Sequence, residues 1–362
     1  MKIVIDARFT RTDHHDGISR YGASLIAATS KIADVSMLIS DLRQLALLPD
    51  VPYTLINSPL SPTELFVART VNQLGADVVV CPMQTMGTWG RRYGLVLTLH
   101  DLIYYEHPAP PGFLPAPVRV LWRLYHKAFW PQRLLLNRAD IVATISRTTE
   151  ALMAKYRLTN RPVRIVSNAP QPAQLPRDPE TGAEKTLLYM GSFMPYKNVE
   201  TMLAGMADLP GHTLHLLSRI TPQRQAELES RMPAGAKVVF HNGVTDEEYT
   251  ALLKRTTALV SLSKAEGYGL PLVEAMALGT PVIASDIPIF REVGADAATY
   301  VDPDSPAAFS AAVHSLDDVR HWQDVSRRSA QRARDFSWDA SAQQLVDVAA
   351  EVVALRSKKQ LR

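Results

Sequence analysis

The sequence has little cysteine: Cys81 is the only one in 362 residues. A single thiol excludes an intramolecular disulfide and a cysteine-based zinc site. No apolar run approaches the ~20 residues that span a bilayer. The first acidic residue, Asp6, comes too early for the apolar core of a secretory signal. We therefore expect a cytoplasmic protein without a transmembrane segment.

The sequence also lacks a strong excess of one charge: it has 39 basic and 36 acidic residues, which gives a net charge of +3. This value does not indicate a nucleic-acid partner. The charge is unevenly distributed: residues 1–170 carry 19 basic and 12 acidic residues, whereas residues 171–362 carry 20 and 24. The basic first part could face anionic lipid or an anionic acceptor, or the difference could be ordinary variation between two domains.

Apolar, β-branched runs recur between helical stretches in two series. The first series comprises residues 2–6, 76–81, 95–99 and 140–145, and the second comprises 186–190, 212–217, 237–240, 258–262 and 280–284. Such runs predict buried parallel strands in two doubly wound α/β domains. Residues 169–185 contain four prolines and no apolar period, which is typical of a linker. Two such domains leave a central cleft between the carboxyl ends of their sheets, where these folds bind ligands.

The stretch Glu266–Ala284 reads EGYGLPLVEAMALGTPVIA and follows a predicted strand. Gly267 and Gly269 permit a tight turn and a close approach to a ligand. Pro271 suits the first turn of a helix, and Gly279 suits its end. A glycine loop that opens onto a helix N-terminus favours a phosphate, because free N–H groups and the helix dipole point toward it.

Two carboxylates, Glu266 and Glu274, flank this loop and are good acceptors for sugar or ribose hydroxyls. The stretch resembles the E-x7-E motif of the retaining family 4 glycosyltransferases, which have the GT-B fold. The resemblance implies that Glu274 binds the nucleotide ribose and that Glu266 acts near the transferred sugar. It also implies that backbone amides meet the sugar and diphosphate at Gly267, Tyr268, Gly269 and Leu270. The alternative is a structural strand-loop-helix without a ligand.

Residues 190–198, MGSFMPYKN, are similar to the family's G-x-x-x-x-P-R-K-N loop, which binds the donor diphosphate. The resemblance places Gly191, Ser192, Lys197 and Asn198 at the donor, and the Lys197 ammonium supplies a point charge for the diphosphate. Arginine is frequent in the family at the positions of Ser192 and Tyr196, so one or two cationic contacts are missing here. Arg219 is a candidate replacement or an ordinary surface arginine.

Three positions elsewhere also resemble the family pattern. His100 precedes Asp101 at the end of a predicted strand, and the family's H-D histidine contacts the donor sugar; the alternative is a structural histidine. The G-I-x-R-Y stretch places Gly17 near the reaction centre. Thr245 and Glu248 predict a capping box, and the resemblance places Val244, just before that helix, at the nucleobase.

Two groups of residues resemble metal ligands, and we expect neither to bind a metal. Residues 13–16, DHHD, lie in one loop, and adjacent residues seldom converge on one ion. Residues 302–304, DPD, are better interpreted as a turn before a helix. The family needs no metal, so the resemblance implies no metal and no other cofactor.

Residues 113–138 interleave basic and aromatic side chains. Arg119, Arg123 and Lys127 have the i, i+4, i+8 spacing of one helix face. One interpretation is a packed helix with a solvated basic side. The other is contact with an anionic membrane or a lipid-linked acceptor, which would make the protein peripheral on the inner face of the plasma membrane.

The linker places the domain boundary so that the domains comprise residues 1–170 and 171–340. The resemblance implies that the first is the acceptor side and the second the nucleotide-sugar side, with a helix at about 341–362 returning to the first. It implies retaining transfer of a hexose from a nucleotide-sugar to a glycan or lipid-linked hydroxyl. The motifs resemble those of bacterial mannosyltransferases of surface glycan or glycolipid assembly, so GDP-mannose is the first choice of donor. The alternatives are a UDP-hexose donor, a sugar-nucleotide epimerase, and a non-catalytic nucleotide-sugar-binding protein that acts as a partner subunit.

Overall fold

The computed structural model describes residues 1–110, 116–171 and 175–360. The chain forms two compact units. The first comprises Met1–Ala169 together with the segment from Ser337 onward, and the second comprises Pro170–Phe336. The returning segment therefore begins slightly before the predicted residue 341.

The first unit is built on a parallel sheet of seven strands within the described residues. The strands are β1 (Lys2–Asp6), β2 (Asp34–Ile39), β3 (Tyr53–Leu55), β4 (Val78–Cys81), β5 (Gly94–Leu99), β6 (Ile141–Thr144) and β7 (Val163–Ile165). Their order is β3-β2-β1-β4-β5-β6-β7. The order changes direction between β1 and β4, which makes this pair the topological switch point. The central strands are apolar on both faces because helices cover both sides of the sheet.

Helices connect these strands, as parallel pairing requires. They are α1 (Gly17–Thr29), α2 (Val67–Asn72), α3 (Ile103–Glu106), α4 (Ala116–Tyr125), α5 (Trp130–Leu136) and α6 (Arg147–Lys155). Short 3-10 segments lie at Leu42–Leu47 and Pro62–Phe66.

The second unit is built on six parallel strands within the part of the chain that is described. They are β8 (Glu184–Tyr189), β9 (Thr213–Leu216), β10 (Lys237–Phe240), β11 (Thr256–Ser261), β12 (Val282–Ser285) and β13 (Ala298–Val301). The order β10-β9-β8-β11-β12-β13 puts the switch point between β8 and β11. The two units thus repeat the doubly wound arrangement that the sequence predicts.

The helices of the second unit lie between its strands and after the last one. They are α7 (Val199–Gly205), α8 (Pro222–Glu229), α9 (Asp246–Leu253), α10 (Leu270–Ala277), α11 (Pro288–Gly294), α12 (Pro306–Ser315) and α13 (Val319–Ala333). Further 3-10 segments lie at Pro179–Thr181, Pro195–Lys197 and Met206–Asp208. The last helix, α14 (Trp338–Gln360), belongs to the first unit. Residues 361–362 of the predicted returning helix lie outside the described residues.

Close packing against β5 holds α14 to the first unit. A Cβ added to Gly94 of β5 would lie 2.3 Å from Cγ1 of Val352, so only glycine permits this approach. Trp338, the first residue of α14, is buried, and its ring centroid lies 5.9 Å from that of Tyr21. Among the described residues, no helix is both long and apolar enough to cross a bilayer.

The predicted linker is fixed to the second unit along part of its length. Arg177 is buried, and its Nη1 donates to the Thr256 carbonyl oxygen at 2.7 Å. Its guanidinium carbon lies 4.6 Å from the centroid of the Trp322 ring. Burial lowers the pKa of Arg177 to about 10. The proline-rich composition therefore marks a boundary between domains, but part of the segment packs on the second unit. Residues 172–174 lie outside the described residues.

Candidate active site

The predicted donor-binding residues come from two neighbouring loops of the second unit. Residues 190–198 follow β8, and residues 262–269 follow β11. These two strands pair with each other and form the switch point of the sheet. Loops that leave the carboxyl ends of such strands diverge and create a binding crevice. The topology therefore brings together two segments that are about 70 residues apart in the sequence.

Lys197 and Glu266 meet where these loops converge. Lys197 Nζ lies 2.5 Å from Glu266 Oε1, and the Ser263 hydroxyl donates to the same oxygen at 2.9 Å. Both side chains are largely covered, with 13% and 15% exposure. Lys197 Nζ also lies 5.4 Å from the ring centroid of Tyr196. The ammonium of such a pair can bind an incoming anion when the anion replaces the carboxylate. The carboxylate can bind an incoming cation or hydrogen-bond donor when that group replaces the ammonium.

Asn198 follows Lys197 directly in the chain. Its backbone is in the left-handed region, with φ 56°, at the N-cap of α7. Its Nδ2 donates to the carbonyl oxygens of Leu262 and Pro303 at 3.0 and 2.6 Å, and its Oδ1 accepts from the Thr201 hydroxyl at 2.8 Å. The carboxamide is therefore engaged by protein atoms and ties the two loops together. A direct donor contact of Asn198 stays a prediction.

Gly191 and Ser192 lie at the start of the first loop. The N–H of Gly191 donates to the Ser218 hydroxyl at 3.0 Å, and the Tyr189 hydroxyl donates to the carbonyl oxygen of Ser192 at 2.6 Å. A Cβ at Gly191 would lie 2.7 Å from the Tyr189 hydroxyl oxygen. Glycine is therefore needed here for packing, whether or not a diphosphate binds. Ser192 is exposed, and its contact with a donor stays a prediction.

The glycine loop after β11 opens onto α10 as the sequence predicts. Gly269 is the N-cap with φ 97°, and a Cβ there would lie 2.9 Å from Cε1 of Phe290. Pro271 lies in the first turn, and Gly279, with φ 70°, follows the helix end. Because the N-cap residue has no side chain, the first turn has no side-chain cap. Its N–H groups remain suited to an anionic ligand.

Glu274 lies one turn into α10 and is partly buried. Gly267 and Tyr268, in the loop between the two glutamates, are buried, while Leu270 at the helix start is partly exposed. Burial raises the pKa of Tyr268 above its usual value. Both motif glutamates are thus placed by the β11-loop-α10 unit, and a ribose contact of Glu274 stays a prediction.

Val244 precedes the capping box that the sequence predicts. The Thr245 hydroxyl accepts from the Glu248 N–H at 3.2 Å, and Glu248 Oε2 accepts from the Thr245 N–H at 2.8 Å. Arg219 is exposed, and its Cγ would lie 3.1 Å from a Cβ built on Gly243. Arg219 therefore lies beside the turn that carries Val244. Contacts of these two residues with a nucleobase or a diphosphate stay predictions.

In the first unit, His100 follows β5 directly. Its Nε2 lies 2.7 Å from the Pro82 carbonyl oxygen, and its ring packs edge-to-face on Tyr21 with centroids 5.1 Å apart. Because a carbonyl oxygen only accepts, Nε2 carries the hydrogen and Nδ1 of the neutral ring is an acceptor. Burial lowers the pKa of His100 below its usual value. A neutral imidazole with one fixed N–H is suited to accept a hydroxyl proton in a hydrogen bond.

Gly17 begins α1, behind the N-cap Asp16. A Cβ at Gly17 would have no heavy atom within 4 Å. Packing therefore does not require glycine at this position, and a donor contact of Gly17 stays a prediction. Asp16 is engaged by Arg11 at 2.7 Å, and Asp13 by His14 at 2.9 Å. Within the described residues, no group of three or more His, Cys, Asp or Glu side chains is arranged to hold a metal ion.

A buried charge network at the first switch point was not predicted. Asp6 ends β1, and Arg8 makes two hydrogen bonds of 2.8 Å to its carboxylate. Arg8 Nη1 lies 2.6 Å from Glu64 Oε2. Burial lowers the pKa of Arg8, but its hydrogen bonds to the two carboxylates outweigh that effect and raise it overall. The network fixes the loop after β1, which leads to Gly17. The closeness of Asp6 and Arg8 in the sequence D-A-R is a local signal for their ion pair. Glu64 gives no such signal, because it is 56 residues from Arg8.

The predicted basic helix is shorter than its spacing implied. Helix α4 ends at Tyr125, so Arg119 and Arg123 share it, whereas Lys127 lies beyond its end. A second helix, α5, begins at Trp130. The prediction of one face through Lys127 is therefore wrong. Residues 113–115 of the predicted segment lie outside the described residues.

Comparison with known proteins agrees with this organisation. Residues 171–334 match the family model described as glycosyl transferases group 1, and residues 40–172 match that of glycosyltransferase family 4. The O-antigen chain mannosyltransferase RfbU of Salmonella typhimurium is 26% identical over 332 residues, which cover 84% of this chain and 88% of RfbU.

Two solved structures share the fold. Sucrose-phosphate synthase from Thermosynechococcus elongatus superposes with a TM-score of 0.73 at 20% identity, over 98% of this chain and 99% of that one. HepE of Anabaena, in complex with UDP-glucose, gives a TM-score of 0.73 at 16% identity, over 97% and 100%. Because the two family matches adjoin and together extend from residue 40 to residue 334, the chain is a group 1 glycosyltransferase with the GT-B fold, an enzyme that transfers a sugar.

Proposed function

We propose that the protein transfers a hexose from a nucleotide-sugar, with retention of anomeric configuration, to a hydroxyl of a glycan or lipid-linked acceptor. The observation that carries the proposal is the contact of Lys197 with Glu266, 2.5 Å apart, between the loops that follow β8 and β11. A cation for the leaving diphosphate and a carboxylate for the sugar hydroxyls stand side by side. The open N-terminus of α10 follows the same loop.

The proposed reaction needs one cation at the leaving group. The bond between the anomeric carbon and the diphosphate oxygen breaks, and the acceptor oxygen forms its bond on the same face. The acceptor proton passes to a diphosphate oxygen. The Lys197 ammonium and the N–H groups of α10 oppose the negative charge that develops on the diphosphate. Glu266, released from Lys197, accepts hydrogen bonds from sugar hydroxyls.

We further propose that the reaction needs no metal ion, because Lys197 supplies the positive charge that a divalent cation would otherwise supply. The expected result is full activity in excess EDTA. Activity that disappears in EDTA and returns with Mg²⁺ or Mn²⁺ would overturn this part of the proposal.

GDP-mannose is the first choice of donor. RfbU is named an O-antigen chain mannosyltransferase, which supports mannose as the sugar and a surface glycan as the acceptor. A UDP-hexose is the second choice, since the solved HepE complex contains UDP-glucose.

A thermal-shift panel of GDP-, UDP-, ADP- and dTDP-sugars tests the donor. A ligand at about 100 times its Kd stabilises the folded state by about 2.7 kcal/mol, so one member of the panel should raise Tm clearly. The product linkage, determined by NMR, should keep the anomeric configuration of the donor. An inverted linkage would overturn retention. Isomerised donor in the absence of acceptor would instead support an epimerase.

A further inference from the structure

Arg8 connects segments that follow two strands of the first sheet. Its guanidinium makes two hydrogen bonds of 2.8 Å to Asp6, the last residue of β1. Nη1 donates to Glu64 Oε2 at 2.6 Å and to the carbonyl oxygen of Asn57 at 3.0 Å. Both of these residues lie between β3 and β4, and the Arg8 side chain is completely buried. One buried group therefore holds the end of β1 to a distant segment of the chain.

Glu64 extends this connection across the switch point to the loop after β4. Its Oε1 accepts from the N–H of Gly87 at 3.0 Å, and its Oε2 accepts from Asn57 Nδ2 at 2.9 Å. A Cβ on Gly87 would lie 1.8 Å from the Glu64 carbonyl oxygen, so this close approach requires glycine. Both carboxylate oxygens are thus engaged, and the loop after β4 is tied to the same buried cation.

Gln44 holds the loop after β1 from the side of β2. It lies in the 3-10 segment that follows β2 and is 2% exposed. Its Nε2 donates to the carbonyl oxygens of Arg8 and Thr10 at 3.1 and 2.6 Å. The segments that follow β1, β2, β3 and β4 are therefore joined by hydrogen bonds. We name the residues that join them the Arg8 network: Asp6, Arg8, Gln44, Asn57, Glu64 and Gly87.

The loop after β1 leads from this network to the N-terminus of α1. Thr10 is buried, whereas Asp13 and His14 are exposed. Asp16 closes the far end of the loop, because its carboxylate accepts from Arg11 Nε at 2.7 Å and also caps α1. The loop is thus fixed at both ends and exposes a carboxylate and an imidazole between them. Such groups are suited to hydrogen bonds with the hydroxyls of a sugar ring.

The far end of this loop lies close to His100. Tyr21 of α1 packs edge-to-face on the His100 ring, with centroids 5.1 Å apart. Burial lowers the pKa of His100, and the charge of Asp16 opposes part of that effect, as a nearby carboxylate does. The loop after β1 and the end of β5 therefore belong to one region of the first unit.

We propose that Arg8 is a positioning residue for the hydroxyl acceptor, because it fixes the loop of residues 9–16 that meets the acceptor beside His100. This inference rests on the proposed function, which assigns the donor to the second unit. The acceptor then binds on the first unit, and open α/β sheets bind ligands at their switch points. Arg8 is buried, so it acts on the acceptor only through the loop.

The chemistry of the Arg8 network favours a positioning role over a purely stabilising one. Burial of charges costs solvation free energy, so an arginine with two carboxylates is weak evidence for stability by itself. Apolar side chains could fill the same volume. They could not bind specific polar atoms of separate loops, such as the Asn57 carbonyl oxygen and the Gly87 N–H. Directional hydrogen bonds in a buried network fix these atoms relative to one another.

The same sheet contains a matched ion pair at its opposite edge. Arg91 Nη1 lies 2.7 Å from Asp140 Oδ2, and the two side chains are 13% and 8% exposed. Arg91 also donates to the carbonyl oxygens of Tyr93 and Arg138 at 2.6 and 2.9 Å. Arg91 precedes β5 and Asp140 precedes β6, so the pair lies at the amino edge of the sheet. Its loss should destabilise the first unit without moving the loop after β1.

Hydrogen–deuterium exchange of the full chain tests whether Arg8 fixes the loop. In Arg8→Met, peptides that cover residues 9–16 should exchange about tenfold faster or more, because the anchored end of the loop is released. In Arg91→Met, the exchange of these peptides should be unchanged. Arg8→Lys should restore part of the protection, since it keeps the charge but lacks the planar fork that reaches both carboxylates.

Steady-state kinetics tests the consequence for the acceptor. The probe is the p-nitrophenyl glycoside, among those of mannose, rhamnose and galactose, on which the wild type is active. In Arg8→Met, KM for this glycoside should rise about tenfold or more, because binding must then order the loop, and kcat should fall less. The donor Kd should be unchanged, because the donor binds the second unit. Arg91→Met should change neither KM nor Kd.

Three outcomes would overturn the proposal. Residues 9–16 could exchange at the wild-type rate in Arg8→Met, or they could exchange faster while the acceptor KM stays unchanged. The acceptor KM could also rise equally in Arg8→Met and Arg91→Met. A wild type that binds no nucleotide-sugar would instead overturn the proposed function, since the exchange measurement needs no substrate.

Glu64→Gln keeps the test decisive if Arg8→Met does not fold. This variant preserves the size of the side chain and leaves the hydrogen bonds between Arg8 and Asp6 in place. It removes one acceptor oxygen, so either Arg8 or the Gly87 N–H loses its partner. The exchange rate of residues 9–16 and the acceptor KM should both rise, by less than in Arg8→Met. Wild-type values of both quantities in Glu64→Gln would overturn the proposal.

Discussion

Lys197 Nζ and Glu266 Oε1 form a largely covered ion pair at the carboxyl ends of two adjacent strands, β8 and β11. The pair neutralises the cation that is proposed to face the donor diphosphate. A diphosphate carries more negative charge than a carboxylate, so it can displace Glu266 from Lys197. Donor binding would then release the carboxylate for the sugar. In this proposal the donor takes the place of Glu266, which otherwise pairs with the largely covered cation.

The first prediction concerns Lys197. Lys197→Met removes the cation that opposes charge on the leaving diphosphate, so kcat should fall by about 10²- to 10³-fold, the usual cost of removing one group that stabilises developing charge. Steady-state kinetics with the donor found in the thermal-shift panel measures the effect. Lys197→Arg should recover part of the loss because it keeps the charge.

Lys264→Met is the control for this prediction. Lys264 also lies in the loop after β11 and pairs with Asp304, but it is 40% exposed. Its replacement should change kcat less than threefold, because exposed ion pairs contribute little. Similar losses in Lys197→Met and Lys264→Met would show that the loop tolerates neither change and would remove the special role of Lys197.

The second prediction concerns Glu274. Glu274→Ala should weaken donor binding by about tenfold or more, since a hydrogen bond to a charged group contributes about 1.5–3 kcal/mol. The loss should appear in Kd and KM more than in kcat, because a ribose contact is made equally in the ground and transition states. Isothermal titration with the donor measures Kd. The exposed Glu247 of α9 gives the control, Glu247→Ala, for which Kd should be unchanged. An unaltered Kd in Glu274→Ala would exclude the ribose role.

Most of the strands that the sequence identified are buried in the fold, and the partly exposed edge strand β10 is the exception. All nine predicted apolar runs overlap strands, and the predicted bounds of β1 and β10 agree with the structure. The missed strands are β2, β3, β7 and β13. Of these, β3 and β7 have three residues each and, like β13, lie at sheet edges. These three edge strands lack the two-faced apolar pattern on which the prediction depends, whereas β2 lies inside its sheet and was missed for another reason.

The site was predicted as a set of residues but not as a set of contacts. The motif positions predicted Lys197 and Glu266 near a donor, but their pairing depends on β8 lying beside β11, which follows from strand order. The same limit applies to Arg8 and Glu64. The end of α4 at Tyr125 was missed because helical spacing continues through Lys127. Contacts between distant segments need the topology, which local patterns do not contain.

The third prediction concerns the glycine at the start of α10. Gly269→Ala introduces a side chain at φ 97° and places its Cβ 2.9 Å from Phe290. Gly235→Ala is the matched control, because Gly235 has φ 80° and no atom within 4 Å of the added Cβ. The control should lower the free energy of unfolding by about 1–2 kcal/mol through backbone strain alone. Gly269→Ala should lose about 1–3 kcal/mol more through overpacking.

Urea unfolding of the full chain measures both changes. Equal losses in the two variants would mean that Phe290 moves aside without cost. Gly269→Ala should also weaken donor binding, because a displaced N-cap moves the N–H groups that are proposed to face the diphosphate. Gly235→Ala should leave donor binding unchanged.

The last prediction concerns pH. His215 Nδ1 and His241 Nε2 lie 2.8 Å apart across β9 and the end of β10. Such a contact needs one N–H and one bare nitrogen, so a second proton would bring two cationic rings together. Burial, followed by the charge of His241, lowers the pKa of His215 below its ordinary 6.5. At His215 the unfolded chain therefore binds more protons than the folded chain in the window just below pH 6.5. The contribution of His215 to stability is complete above that pH and falls as the pH drops through it.

His241→Gln tests this interpretation, because a glutamine amide can take the place of the Nε2 contact and does not titrate. Tm of the wild type should fall between pH 7 and pH 5, and Tm of His241→Gln should fall less. Other histidines titrate in both proteins, so the difference between the two curves isolates the pair. His321→Gln, at an exposed position, should follow the wild-type curve. If the His241→Gln curve instead runs parallel to that of the wild type, the contact between the two rings does not contribute to the acid sensitivity of the second unit.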